Sequence, residues 1–268
     1  MYLDFFKLKK KPFENTNDGT FFFESDSHKE AYSRIKYVIE DRQSCAMLSG
    51  GYGTGKTFIL KTIEKELSRK GYLFSFVANP SVDETGILKL IAHNYISYRI
   101  GETKADLLIS LEKFFKDTHR DAKHCVVVID EAQNINSDGV LEELRMLLNY
   151  QIENRNLLTL IISGQSELIE KISSNKQFMQ RIFLSYEIKP LSKKETKEYV
   201  FHRMSVAGAE PQIFSEDCFE SLYERSGGIP RWINNICSIA LLTAFSKGMS
   251  VIDGDIIKES YESIRGSE

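Results

Sequence analysis

Gly50-Gly51-Tyr52-Gly53-Thr54-Gly55-Lys56-Thr57 is the stretch that decides the fold of this chain. The apolar run Cys45-Ala46-Met47-Leu48 before it reads as a strand. After it, Phe58, Ile59, Leu60, Ile63 and Leu67 recur at helical spacing. Strand, glycine-rich loop and helix in this order form the context in which G-x-x-x-x-G-K-[ST] wraps a polyphosphate. Without Cβ atoms at the glycines, backbone N–H groups can converge on phosphate oxygens, and the helix N-terminus adds partial positive charge. On this reading Gly50 through Thr57 bind the nucleotide, Lys56 reaches its terminal phosphates, and the Thr57 hydroxyl ligates a magnesium ion.

A second motif supports the first. Val126-Val127-Val128-Ile129 is a β-branched run that ends on Asp130-Glu131. Such a run reads as a strand buried on both faces of a parallel sheet. Carboxylates at its C-terminal end lie on the edge where open α/β sheets bind ligands. Asp130 is then the second metal ligand, and Glu131 polarises the water that attacks the γ-phosphate. The reading expects the triphosphate cradle where two adjacent strands finish.

Bulk composition bounds the rest. A chain of 268 residues with 42% hydrophobic and 27% charged residues is a globular protein, long enough for a core plus a smaller appendage. The net charge of −3 gives no global basic field for nucleic acid. Cys45, Cys125, Cys218 and Cys237 lack C-x-x-C spacing and read as buried thiols, and the five histidines show no ligand spacing. The longest apolar run, Ile239 to Phe245, is too short for a membrane span, and the N-terminal charges follow the apolar residues, the reverse of a secretory signal. The expectation is a cytoplasmic protein that meets a membrane only through a partner.

Along the chain, residues 1–25 read as aromatic-rich and irregular, and Ser27 to Asp41 as a helix. A second strand covers Tyr72–Val77, and helices cover roughly 83–100 and 104–119. Ser137-Asp138 caps the helix after the acidic strand. A fourth strand runs over 157–162, a short helix follows it, and a fifth strand lies near Phe183–Ile188. Strands alternating with helices predict an α/β fold: a three-layer P-loop NTPase core around a parallel five-stranded sheet. After Pro190 only helices follow, over 192–207, 215–226, 230–248 and 253–264, opened by Ser192, Ser215 and Asp253 and separated by breaks at 208–211, 227–228 and 248. Residues 1–190 are thus the nucleotide-binding core, and 191–268 a C-terminal all-α lid.

Three further positions carry candidate roles. Gln165 or Ser163, closing the strand expected next to the acidic one, can orient the attacking water or cap the following helix. Arg181, just before the fifth strand, can project to a neighbouring subunit's γ-phosphate or remain a surface charge. Arg231 follows Gly227-Gly228-Ile229-Pro230, where proline in the first turn aims it at a fixed point or simply packs the helix start.

The chain resembles the AAA+ ATPases of the general secretion pathway protein A family over nearly its full length. The resemblance rests on Met1-Tyr2-Leu3-Asp4-Phe5-Phe6-x-Leu8, Lys11-Pro12-Phe13, Ser27-His28-x-Glu30-Ala31, the phosphate loop and Ile129-Asp130-Glu131-Ala132-Gln133. It continues through Leu141 to Arg145, Gly164-Gln165-x-Glu167-Leu168, Gln180-Arg181-Ile182, Pro190-Leu191-Ser192 and Gly227-Gly228-Ile229-Pro230-Arg231. It implies ATP with Mg2+, a homo-oligomeric ring or filament, Arg181 as trans arginine finger and Arg231 as the lid arginine that senses the γ-phosphate. It also implies Gln165 as polar sensor, Ser163 as second choice, and the segment around Phe13 and His28 near the adenine. The family often has prolines near positions 17 and 19, where this chain has Asn17 and Gly19. Family members typically add a membrane span and a peptidoglycan-binding region after the ATPase, whereas this sequence stops after the lid. A direct role in building a secretion channel through the cell wall is therefore not expected; related stand-alone ATPases serve pilus biogenesis, and the expected partner is a protein of a secretion or pilus machine. The alternative is a regulatory ATPase of a transposition system assembling on duplex DNA, with Lys7, Lys9, Lys10 and Lys11 or Lys193, Lys194 and Lys197 on phosphates.

Overall fold

The computed structural model describes residues 1–16, 18–96, 101–209 and 213–265. Asn17, the end of the expected 83–100 helix, part of the expected 208–211 break and residues 266–268 lie outside them. The chain forms two compact units: Glu30–Tyr52 with Lys56–Ile188, and Met1–Lys29 with Gly53–Gly55 and Lys189–Glu268.

The first unit is built on five parallel strands, β1 (Cys45–Gly50), β2 (Tyr72–Val77), β3 (His124–Ile129), β6 (Leu158–Gly164) and β7 (Ile182–Ile188). Between β3 and β6 lies a short antiparallel hairpin, β4 (Gln151–Ile152) and β5 (Arg155–Asn156). Its turn residues, Glu153 and Asn154, have φ of 49° and 61°, the paired left-handed conformation of a type I′ turn. Glu153-Asn154 is a weak signal for that turn, and the sequence reading did not foresee the hairpin.

The sheet order is β2-β3-β6-β1-β7. β6 therefore lies beside the acidic strand, as expected, with Ile129 in register with Ile162. One expectation is corrected here: the strands that end in the phosphate loop and in Asp130 are not adjacent, because β6 is inserted between them. Hydrophobic runs alone carry no information on strand order.

Every residue of β1, β3 and β6 is buried, as strands covered on both faces must be. Period-two alternation sorts their side chains. Cys125, Val127 and Ile129 join a core built from α4 (Glu84–Tyr95), α5 (Lys104–Arg120), α6 (Asp138–Leu147), α7 (Glu167–Ser174) and α8 (Lys176–Met179). Val126 and Val128 face the other way and are equally buried. On that side α3 (Lys56–Ser68) packs on β1, β2 and β6, burying Ile59, Leu60, Ile63 and Leu67. Beside it, α2 (Asp26–Glu40) buries Ala31, Ile35, Val38 and Ile39. Three layers result. Each fully buried Val, Ile or Leu contributes about 1.5–3 kcal/mol, so these faces dominate the stability of the unit.

The second unit is helical: α1 (Tyr2–Phe5), α9 (Lys193–Val206), α10 (Cys218–Ser226), α11 (Pro230–Ser246) and α12 (Gly254–Arg265). Ser192 caps α9 in a reciprocal box with Glu195, and Asp253 Oδ1 accepts from Ile256 N–H at the start of α12. Ser215 does not cap α10. Its hydroxyl and backbone N–H both donate to Ile252 O, at 2.9 Å each, and the helix starts later, at Cys218.

The N-terminal stretch is largely irregular, as expected, beyond the short α1. What the reading does not anticipate is its packing: residues 1–16 thread Phe6, Leu8 and Phe13 into the core formed by the C-terminal helices. Buried Arg203 fastens it, donating to Pro12 O at 2.6 Å, Glu14 O at 2.7 Å and Tyr199 Oη at 2.8 Å. A buried guanidinium costs several kcal/mol unless its donors are satisfied, and here three acceptors meet them. All four cysteines are buried free thiols.

Candidate functional site

The phosphate loop begins where β1 ends. Lys56, 5% exposed, turns its ammonium back onto the loop, donating to Gly50 O at 2.8 Å and Gly51 O at 3.0 Å. Gly53 has φ +79°, and a Cβ there would lie 2.7 Å from the Arg231 Cβ, so only glycine lets the two backbones approach. Arg231 N–H donates to Gly53 O at 3.3 Å. Gly227-Gly228-Ile229-Pro230 thus delivers Arg231 to the middle of the loop, with Pro230 in the first turn of α11.

The loop's last residue meets the acidic strand. Thr57 Oγ1 donates to Asp130 Oδ2 at 2.5 Å, while Asp130 Oδ1 accepts from Glu131 N–H at 3.1 Å. These two side chains come from either side of β6 in the sheet order. Asp130 is 3% exposed. Glu131 adopts φ 50° and ψ 39°, a left-handed conformation that is strained for a residue with a side chain.

Gln133, the last residue of the Asp130-Glu131-Ala132-Gln133 stretch, connects this corner. Its Nε2 donates to Glu131 Oε2 at 2.6 Å, and its Oε1 accepts from Gln165 N–H at 3.1 Å. Lys171 secures the turn by donating to Gln133 O at 2.9 Å and to Ile135 O. One amide side chain therefore links the end of β6 to the Glu131 carboxylate. An amide two residues past the acidic pair is the available sequence signal, but its partners come from different elements. Ser163, closing β6, is fully buried, and its hydroxyl has no hydrogen-bond partner among the described residues.

Arg181 lies elsewhere. The strands are parallel, so the residue before β7 sits at the N-terminal edge of the sheet, where its carbonyl accepts from Ser44 Oγ at 2.8 Å. Its guanidinium donates to Asn149 Oδ1 at 2.6 Å. Seven residues of β7 span roughly 20 Å, which separates Arg181 from the opposite edge. Phe13 is a core residue, edge-on to Phe214. His28 touches the loop: its Nε2 lies 2.8 Å from Thr54 O and its Nδ1 2.6 Å from Ser25 Oγ. Burial lowers its pKa, opposed by the Thr54 carbonyl and by the charge of Glu195.

These residues fit a magnesium–nucleoside triphosphate pair. Thr57 and Asp130 offer hard oxygen ligands side by side, and magnesium takes few protein ligands because it keeps waters and phosphate oxygens. Among the described residues no three His, Cys, Asp or Glu side chains converge into a metal-binding group. Among the described residues, too, no helix is long and apolar enough to cross a membrane.

Comparisons with known proteins show the family and the fold. The chain is 34% identical, over 266 residues and 98% of its length, to general secretion pathway protein A of Aeromonas hydrophila, and spans 48% of that relative. Among solved structures it is similar to Cdc6p of Pyrobaculum aerophilum, with TM-score 0.72 and 17% identity over 93% of this chain and 71% of that one. It is also similar to the ORC2 protein of Aeropyrum pernix, with TM-score 0.70 and 16% identity over 97% and 72%. The Holliday junction branch migration motor RuvB of Thermotoga maritima gives 0.63 and 18% over 95% and 73%. At such identities these likenesses speak to the P-loop fold alone. The AAA domain model matches residues 39–172, which carry the phosphate loop, the acidic strand and Gln165, and the chain belongs to that family.

Proposed function

We propose that this protein is a magnesium-dependent ATPase that works as a homo-oligomer and drives conformational change in a protein partner. The observation that carries the reading is the meeting of the Thr57 hydroxyl and the Asp130 carboxylate, which sets a metal-binding oxygen pair beside the phosphate loop. Loop N–H groups and Lys56 hold the phosphates, exchanging the carbonyls of Gly50 and Gly51 for phosphate oxygens. When bound, the ion held by Thr57 and Asp130 neutralises developing phosphate charge. Glu131 orients and deprotonates water, with Gln133 fixing its carboxylate, and Gln165 or Ser163 completes the polar end of β6. Residues 191–268 act as the lid, with Arg231 reporting nucleotide state to it.

Arg181 serves the site of a neighbouring copy. Its position at the N-terminal edge of the sheet supports this role, because its own chain's Asp130 and Glu131 lie at the other edge. The partner we favour is a protein of a secretion or pilus machine. Five of the seven lysines considered for duplex DNA are already neutralised: Lys10 by Asp18, Lys11 by Glu14, Lys193 by Glu220, Lys194 by Glu198 and Lys197 by Glu216. That leaves little local positive field for a transposition-type filament on DNA.

The test is phosphate release with and without Mg2+. Glu131→Gln should retain ATP and stop turnover, and undiminished turnover would remove Glu131 from the mechanism. Arg181→Ala should bind ATP and hydrolyse poorly, and mixing with Lys56→Ala subunits should restore hydrolysis. Assembled mixtures that stay inactive would defeat the trans assignment.

A further inference from the structure

Thr54 is fully buried at the turn of the phosphate loop, and its carbonyl is held by a side chain distant in sequence. His28 Nε2 lies 2.8 Å from Thr54 O. A carbonyl only accepts, so Nε2 carries the proton, and Nδ1 must accept in turn. Ser25 Oγ, 2.6 Å from Nδ1, is its donor, and the same oxygen accepts from His28 N–H at 3.3 Å. The ring is thereby fixed in one tautomer and one orientation, and Ser25 and His28 are both buried.

Planarity of the peptide bond gives this contact a consequence. In a trans peptide the C=O and the following N–H point in opposite directions. Holding Thr54 O on the imidazole turns Gly55 N–H away from it. Gly55 N–H has no acceptor among the described residues. A Cβ at Gly55 would lie 3.0 Å from His28 Nε2, so the ring also occupies the space behind the loop.

The base of His28 is anchored as well. Asp26 N–H donates to Glu195 Oε1 at 3.1 Å, and Lys189 N–H donates to Ser27 Oγ at 3.0 Å. The other oxygen of Glu195 accepts from Ser192 N–H at 2.8 Å and Ser192 Oγ at 2.7 Å in the α9 capping box. Residues 25–28 thus run from the first turn of α9 to the phosphate loop.

We propose that His28 is a positioning residue for nucleotide binding: it orients the Thr54–Gly55 peptide so that Gly55 N–H faces the phosphates. It does so from a seat on the α9 capping box, which links the start of the C-terminal helices to the loop. The inference rests on the ATP-binding reading above.

The test uses the full chain, a fluorescent ATP analogue with Mg2+, and 15N-glycine labelling to follow the Gly55 amide. His28→Leu removes the donor at nearly constant volume and should raise the analogue's Kd about tenfold, the cost of one buried unsatisfied carbonyl. It should also shift the Gly55 amide resonance in the nucleotide-free protein. His28→Gln, which still presents an N–H to Thr54 O, should recover most of the affinity and the resonance. Ser25→Ala, which leaves the ring but frees its tautomer, should fall between. If His28→Leu does not fold, Ser25→Ala and His28→Gln decide the matter, and binding by Ser25→Ala indistinguishable from wild type overturns the proposal. Wild-type affinity in a folded His28→Leu also overturns it. Failure of the wild type itself to bind the analogue would instead sink the ATP reading, and Lys56→Ala calibrates complete loss.

Discussion

Gly227 and Gly228 are adjacent, both left-handed, with φ of 58° and 71°, yet their replacement by alanine should have very different effects. Left-handed backbone costs a residue with a Cβ about 1–2 kcal/mol at either position. At 227 nothing else lies within 4 Å of the added atom. At 228 the Cβ would sit 1.9 Å from Leu191 O, and that oxygen belongs to backbone that cannot swing aside. Relief requires moving Leu191, whose N–H donates to Gly228 O at 2.9 Å and whose side chain is 2% exposed in the helical core. Losing that hydrogen bond costs about 1 kcal/mol, and disturbing packed core roughly 1–3 kcal/mol more. Gly228→Ala should therefore destabilise the helical unit by about 3–6 kcal/mol, against about 1–2 kcal/mol for Gly227→Ala. Trp232, the single tryptophan, lies in α11 and reports this unit by fluorescence during urea unfolding. Gly228→Ala should shift the midpoint several times further than Gly227→Ala and cripple nucleotide binding, because Arg231 follows three residues on. Equal shifts for the two variants would refute the reasoning, since they share the backbone penalty and differ only in the contact with Leu191.

Gln133→Leu removes the amide that donates to Glu131 Oε2, so kcat should fall about tenfold with ATP affinity held; a raised KM with unchanged kcat would count against the role. Ser163→Ala deletes a buried hydroxyl with no partner among the described residues, so stability should stay level or rise by up to about 1 kcal/mol while ATP hydrolysis drops. Full activity together with lost stability would contradict a role at the strand end. His124 is buried with Nε2 2.9 Å from Thr159 Oγ1, and burial first, then the charges of Arg42 and His119, lower its pKa to about 3. The unfolded chain therefore takes up this proton first. Stability present at neutral pH declines as pH falls below about 6.5, by roughly 2–3 kcal/mol at pH 4.5. Urea midpoints of wild type and His124→Gln across that range check this, and the variant should show the shallower slope.

Several elements were legible because their signals are local. Helix α9 announces itself by the capping Ser192, and β3 by four β-branched residues in a row. Ser215 misled because a serine near a helix start is as well served by a distant carbonyl, here Ile252 O, as by a helix N–H. The aromatic N-terminus gave no periodicity because Phe6, Leu8 and Phe13 pack singly into a core whose other buried residues run from Leu191 to Ile257.

The sequence by itself determined the phosphate loop, the acidic strand and the alternation that makes a three-layer sheet, because these rest on spacing within a few residues of one another. Only the tertiary structure decided that β6 separates the two motif strands, that Thr57 and Asp130 nevertheless touch, and that Gln133 meets Glu131 and His28 meets Thr54. Strand order and side-chain convergence depend on which distant surfaces bury one another, and residue spacing along the chain does not encode that.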